Sequence, residues 1–469
     1  MTFLSPTFVF VFLPIVLSVY YIAPKNRRVD LLPIISSVFF VCLNISNIFS
    51  LAYYLLVMLG VIVALKCYKK KRNKSWLIGL EIFVLLISVA MVSYHLVSSG
   101  ELQYIAGLLI CLMAVESLCS DIRNERGRVP DTIWEGLIYV TFFPISVVGP
   151  VVRYGDFIEK LDSISFSLDR FLKGLVRFLL GFIKCVAIYA VLRFEYESIL
   201  GLSGSFGLMV YIFTAALCGI AVYAFLSGYS GMASGIALML GIEIERDFGT
   251  PLLSVAPSDY MRNFLTSFST FIKSYIVTPV DNTFGQTWFG RIVACVLSGA
   301  CYVFIFCRSA YTALILLLPA CVLAYFVMFK PRSKRMRIPA LIKPISLIVT
   351  FTLMSLVWNF ISYRSVLAIE DLIRGVIKQP FEYASYDVLK VILNGKNIFV
   401  PIFAALVIWF VSWAFRVEEI SDKESFTKAE LVYKSVALFL LIISFLFCVM
   451  FLLPQFPKFV FTGFESYFI

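Results

Sequence analysis

The chain has 469 residues and a formal net charge of +11, yet only 15% of its residues are charged, while 61% are apolar and 16% aromatic. Ordinary globular proteins carry about 25% charged residues, so a soluble domain of this length is excluded: too few polar side chains exist to cover it. The surplus of Lys and Arg falls in short clusters between apolar runs, a pattern that orients loops toward the cytoplasm and gives no reason to expect a nucleic-acid partner.

A spanning helix needs about 20 mainly apolar residues. Such runs recur at residues 5–24, 31–44, 47–66, 76–98, 104–119, 133–151 and 172–193. They continue at 206–226, 229–243, 288–307, 309–329, 340–362, 397–415 and 434–454. Several are too short to cross fully. The expectation is an all-α polytopic membrane protein with about 11–13 transmembrane helices plus re-entrant and interfacial pieces. It reads as one transmembrane domain over 1–469, with N-terminal helices to 130, a central core over 131–330 and C-terminal helices beyond.

The first run lacks a basic leader and a small-residue cleavage site, and Lys25, Arg27 and Arg28 follow it. It is therefore expected to be a retained helix, not a signal peptide. An extracytoplasmic N-terminus places Lys25–Arg28, Lys66–Lys74 and Arg123–Arg128 together in the cytoplasm of a plasma-membrane protein. Lys330–Arg337 and Arg416–Lys434 join them if the intervening crossings are suitably odd in number. Three stretches, Arg153–Lys173, Glu243–Tyr260 and Arg364–Lys396, mix charges with apolar residues and are expected to lie at the interface or fold back. The eleven cysteines are scattered without a Cys-x-x-Cys pair, so they read as packing residues with no metal site or disulfide framework.

Ionisable groups inside apolar runs cost a few kcal/mol each and call for a reason. Arg177 and Lys184 lie seven residues apart and so share a helix face. They either snorkel to the interface or line a conduit for a charged substrate. Glu81 and Glu116 each pair with a cation or serve similarly. The densest polar stretch runs from Ser227, Tyr229 and Ser230 through Arg246-Asp247-Phe248 to Arg262, Asn263, Ser269, Thr270 and Lys273. Hydroxyls this dense need partners, which a water-filled or substrate-lined passage would supply. Close helix packing through Ser, Thr and Gly is the alternative.

At these residues the chain resembles the membrane-bound O-acyltransferase (MBOAT) family in its alginate O-acetyltransferase (AlgI-like) branch. The opening helix from Phe3 to Pro14 looks like that of the branch, and Phe142–Phe157 resembles its FP-x4-GPI-x-R-Y-x-D-F signature, including Arg153. Gly174–Lys184 is similar to the helix that follows, Ser227–Ala233 to SGYSDMA, and Phe248–Pro251 with Ser258–Pro279 to the central segment. Trp358–Ala368, with Arg364, resembles a later FRA motif.

The resemblance implies a helical bundle pierced by a tunnel, in which an acyl group from a cytoplasmic thioester reaches an acceptor on the far side. Two tunnel histidines normally relay the proton, because an imidazole near neutral pKa serves as both base and acid. This chain departs from that pattern. Leu265 stands at the first histidine position, Met261 and Phe264 replace flanking tryptophans, and two acidic positions have become Phe225 and Gly231. The second histidine position falls between Tyr302 and Cys307, and the chain's single histidine is His95. Cys307, before Arg308, is a substitute nucleophile to weigh.

Three readings follow. The first is a non-catalytic partner, conduit or scaffold of cell-envelope polysaccharide acylation. The second is an O-acyltransferase with a non-histidine site, using acyl-CoA or another thioester. The third is a transporter or flippase using the same tunnel. No bound cofactor is expected. The expected partners are the bilayer and either a periplasmic or membrane-anchored acetyltransferase or a histidine-bearing homologue.

Overall fold

The computed structural model describes residues 3–24, 27–43, 48–99, 108–126, 128–146, 148–162, 164, 167–200, 208–245, 247–285, 287–306, 310–329, 342–362 and 428–452. Among these residues the secondary structure is helical throughout, with no strand. Four helices are long and apolar enough to cross a membrane: Leu51–Lys71, Leu168–Arg193, Tyr211–Met239 and Lys343–Ile361. Five shorter apolar helices accompany them. The chain is an all-α polytopic membrane protein.

The N-terminal part comprises α1 (Leu13–Ile22), α2 (Arg28–Leu43), α3 (Ile48–Lys71), α4 (Ser75–Ser99) and α5 (Leu108–Arg123). After the short α6 (Ile133–Thr141) and α7 (Tyr154–Asp162) come α8 (Leu168–Ile183), a π-helical segment at Lys184–Tyr189, and α9 (Ala190–Leu200). The long α10 (Leu208–Met239) leads to α11 (Pro257–Asn263), α12 (Thr266–Ile272), a π-helical segment at Lys273–Val277 and α13 (Thr278–Phe284). Then follow α14 (Trp288–Phe306), α15 (Ala310–Met328), α16 (Lys343–Ser362) and α17 (Lys428–Phe447). The run expected at 397–415, the amphipathic stretch 364–396, Arg364 and the cluster 330–337 lie outside the described residues.

Three expected spans are corrected. The runs 206–226 and 229–243 form the single helix α10, because Gly228, Gly231 and Gly235 face a neighbouring helix and do not break their own. A Cβ on Gly181 of α8 would stand 2.4 Å from the Gly228 carbonyl oxygen, and one on Gly235 would stand 2.6 Å from that of Gly174. The two backbones touch. Gly in a helix costs about 1 kcal/mol relative to Ala, and close packing between apolar helices offsets that cost. The run 133–151 is helical only to Thr141, and then Pro144 and the cis Gly149–Pro150 peptide carry the chain through turns to Val151.

The Lys66–Lys74 and Arg123–Arg128 clusters lie side by side. Lys69 Nζ donates to the Asp131 carbonyl (2.7 Å) and Lys74 Nζ to the Arg123 carbonyl (2.8 Å). Arg128 binds Asp131, Glu135 and Asp162 at 2.7–2.9 Å, with the Asp162 carboxylate foremost in holding its guanidinium above the usual arginine range. Tyr20 donates to the Leu240 carbonyl (2.9 Å) and Tyr21 to that of Met239, so the end of α10 lies beside the end of α1.

Candidate functional site

The predicted site residues that the structure describes separate into two neighbourhoods, with Arg153 beside α7. On α8 and α10, Arg177, Lys184, Ser227, Tyr229 and Ser230 are all buried, Arg177 to 8% and Lys184 to 5% exposure. Neither cation is exposed at the protein surface. Their placement follows from the glycine stripe: a Cβ on Gly228 would stand 3.2 Å from that of Lys184, and one on Gly231 would stand 3.6 Å from the Arg177 carbonyl. Tyr229 packs its ring on Phe3 and Phe225, each 5.3 Å away between centroids. The Ser227 hydroxyl is buried without a hydrogen-bond partner among the described residues.

The second neighbourhood is built on α11, α12 and the chain before them. Arg262 is structural: its guanidinium donates to the Phe326 carbonyl (2.6 Å) and the Val327 carbonyl (3.0 and 3.2 Å), capping the C-terminal end of α15. Asn263 donates to Ser254 Oγ (3.2 Å), while its carbonyl accepts the Gly249 N–H (2.9 Å). Thr270 donates back to the Thr266 carbonyl (3.0 Å), Ser267 Oγ accepts the Val151 N–H (2.9 Å), and Ser269 bonds Tyr302 (2.9 Å). These hydroxyls find partners in helix turns and neighbouring chain. Lys273 is exposed. Arg153 forks onto Asp156 one turn along α7 (2.9 and 3.0 Å), and Cys307 lies outside the described residues.

Leu265 sits between α11 and α12 in a left-handed conformation, with φ 53°, and is 8% exposed. The preceding Phe264 is fully buried against Tyr260, Phe248 and Trp358, at centroid distances of 5.5, 5.2 and 4.9 Å. The turn is pinned by Asp247. Its carbonyl accepts both the Thr266 N–H (2.8 Å) and the Thr266 hydroxyl (3.0 Å), and its Oδ1 accepts the Ser267 N–H (2.8 Å). Oδ2 is buried without a hydrogen-bond partner. Burial pushes the carboxyl from its ordinary 3.8 up to about 6, against the hydrogen bonds from Ser267.

No family profile matches the chain. It is 29% identical over 324 residues to a probable alginate O-acetylase AlgI of Pseudomonas fluorescens, covering 64% of each chain. It is 22% identical over 288 residues to a teichoic acid D-alanyltransferase of Streptococcus thermophilus, covering 56% of this chain and 66% of the relative. A peptidoglycan O-acetyltransferase of Helicobacter pylori is 24% identical over 335 residues, covering 59% of this chain and 61% of its own. These relatives support the AlgI-like MBOAT family. The chain spans 64% of the Pseudomonas fluorescens relative's length, just under two thirds.

Phe225, Met261, Phe264 and Leu265 are all buried, while Gly231 lies against α8. His95 falls within α4.

Sequence reasoning reached Tyr275, at the end of the polar stretch, but missed its partners on α5. Tyr275 donates to Asp121 (2.8 Å) and bonds Ser117 (2.7 Å), while the first amides of α7, from Tyr154 and Gly155, donate to Ser117 (2.8 Å) and Asp121 (3.3 Å). Two side chains of α5 thus cap α7 from outside it. The available signal was an acid four residues after a serine, Ser117 and Asp121, on an otherwise apolar helix.

Proposed function

We propose that this chain is an AlgI-like membrane protein of cell-envelope polymer acylation that works without histidine-relayed transfer, as a non-catalytic partner, conduit or scaffold. One observation supports the reading: Leu265, which the motif resemblance aligns with the family's first histidine position, is buried beside the aromatic cluster of Phe248, Tyr260, Phe264 and Trp358. A leucine neither takes nor returns a proton, and rings packed at about 5 Å are a hydrophobic core. The expected setting is the plasma membrane with an extracytoplasmic N-terminus. The expected partners are a periplasmic or membrane-anchored acetyltransferase or a histidine-bearing homologue. The test is the purified full chain given radiolabelled acetyl-CoA and a soluble glycan acceptor, beside a histidine-bearing homologue as positive control. Label should stay on the donor; label on the chain or the glycan would overturn the proposal.

A second reading, an active O-acyltransferase with a non-histidine site, is favoured by Asp247. Its carboxyl stands beside the same turn with one buried oxygen unpaired and a pKa brought toward neutrality. Under that reading the parent chain transfers label and Asp247→Asn does not. Under the first reading neither does.

A further inference from the structure

Between α4, α5, α12 and α14 lies a cavity of about 700 Å³, well within the range of about 300–1,000 Å³ for small-ligand pockets. Its walls are mostly hydrocarbon, with Leu85, Leu112, Phe268, Phe271 and Leu297 on different sides. Three polar side chains also face it: Glu81, Glu116 and Tyr275. Two of them are already engaged. Tyr275 donates to Asp121 (2.8 Å), and Glu81 Oε2 accepts from Arg123 (2.8 Å), while Glu81 Oε1 is buried without a hydrogen-bond partner among the described residues.

Glu116 is left with no hydrogen bond or ion pair among the described residues, on a wall that is otherwise apolar. A carboxyl on an apolar wall is costly unless something meets it. Glu81 and Glu116 together outnumber Arg123 by one acidic group. An alkanoate head would be repelled by an ionised Glu116, and an alcohol head would offer it a single O–H donor. An ammonium would satisfy the carboxyl with up to three N–H donors, while its alkyl tail covers the aromatic and leucine walls.

We propose that this chamber binds an amphiphile whose ammonium head sits on Glu116 and whose alkyl chain fills the apolar remainder. The proposal is independent of whether the chain transfers acyl groups, since none of these side chains is asked to do chemistry.

The test is saturable binding of radiolabelled dodecylamine to the full chain in phosphatidylcholine nanodiscs, with empty nanodiscs as blank and dodecanol and dodecanoate as competitors. Dodecylamine should bind at least tenfold more tightly than either competitor. Glu116→Gln, which keeps shape and loses charge, should weaken it to the level of dodecanol. Ala300→Trp should block binding by filling the chamber, because Ala300 lines it. Dodecanol or dodecanoate binding as tightly, or either variant binding dodecylamine like the parent, would overturn the proposal.

Discussion

At Asp247 a single carboxyl couples the turn at Leu265 to pH. The folded chain holds the proton up to about pH 6, whereas the ordinary value for the group is 3.8. Between those values the folded state binds more protons than the unfolded state, so raising the pH through this window favours unfolding. The contribution, about 3 kcal/mol, is fully present below pH 4 and gone above 6. Thermal unfolding in nanodiscs should therefore show a midpoint that falls across pH 4–6, and Asp247→Asn should flatten that slope. A parent chain with no slope there contradicts the assignment. Tyr275 offers a second residue-scale measurement. Tyr275→Phe removes one hydroxyl from Asp121 and Ser117 and leaves a buried acid short of a donor, at a cost of about 1–3 kcal/mol. Ser269→Ala leaves the buried Tyr302 hydroxyl without its Ser269 partner and should cost a similar amount in the same unfolding assay.

Among the elements, α8 and α10 depend on backbone contact. Gly181→Ala would drive a methyl to 2.4 Å from a carbonyl oxygen and 2.7 Å from the Met232 nitrogen, neither of which can rotate away. The helices must separate, and a cost of about 1–3 kcal/mol follows. Gly231→Ala meets nothing closer than 3.6 Å, and the gain in helix propensity should leave it neutral or slightly stabilising. Equal melting midpoints for the two variants would contradict a glycine-mediated interface. The same contact explains why sequence periodicity divided α10 into two spans. Gly and Ser inside an apolar run look like a break when read locally, but across a helix pair they are the surface that lets backbones approach. The opposite error, reading 133–151 as continuous, came from counting apolar residues through Pro144 and Pro150, which cannot sustain the hydrogen-bond ladder.

For the whole molecule, the ends of α3 and α5 and the starts of α4 and α6 are tied together by Lys69, Lys74 and Arg128. One side of the bundle therefore gathers Lys and Arg, and the proposed orientation, with cytoplasmic Lys and Arg, would turn that side inward. A cysteine introduced by Lys71→Cys should react with a membrane-impermeant maleimide only after cells are permeabilised, judged against the parent chain. Labelling in intact cells would reverse the orientation.

The amino-acid sequence by itself determined the solvent this chain folds in, its helical class and most of its helices, because hydrocarbon demands long apolar runs with every backbone group satisfied internally. Its motifs also pointed to the AlgI-like relatives and to Leu265. Only the tertiary structure decided which polar residues share a site. It divided a continuous hydroxyl-rich stretch into helix caps, a glycine-backed interface and an aromatic core. It joined Asp121 to Tyr275 and Asp247 to Ser267 across long separations in the chain. Hydrogen bonds act over about 3 Å in space, and no periodicity along the chain encodes which distant segments come that close.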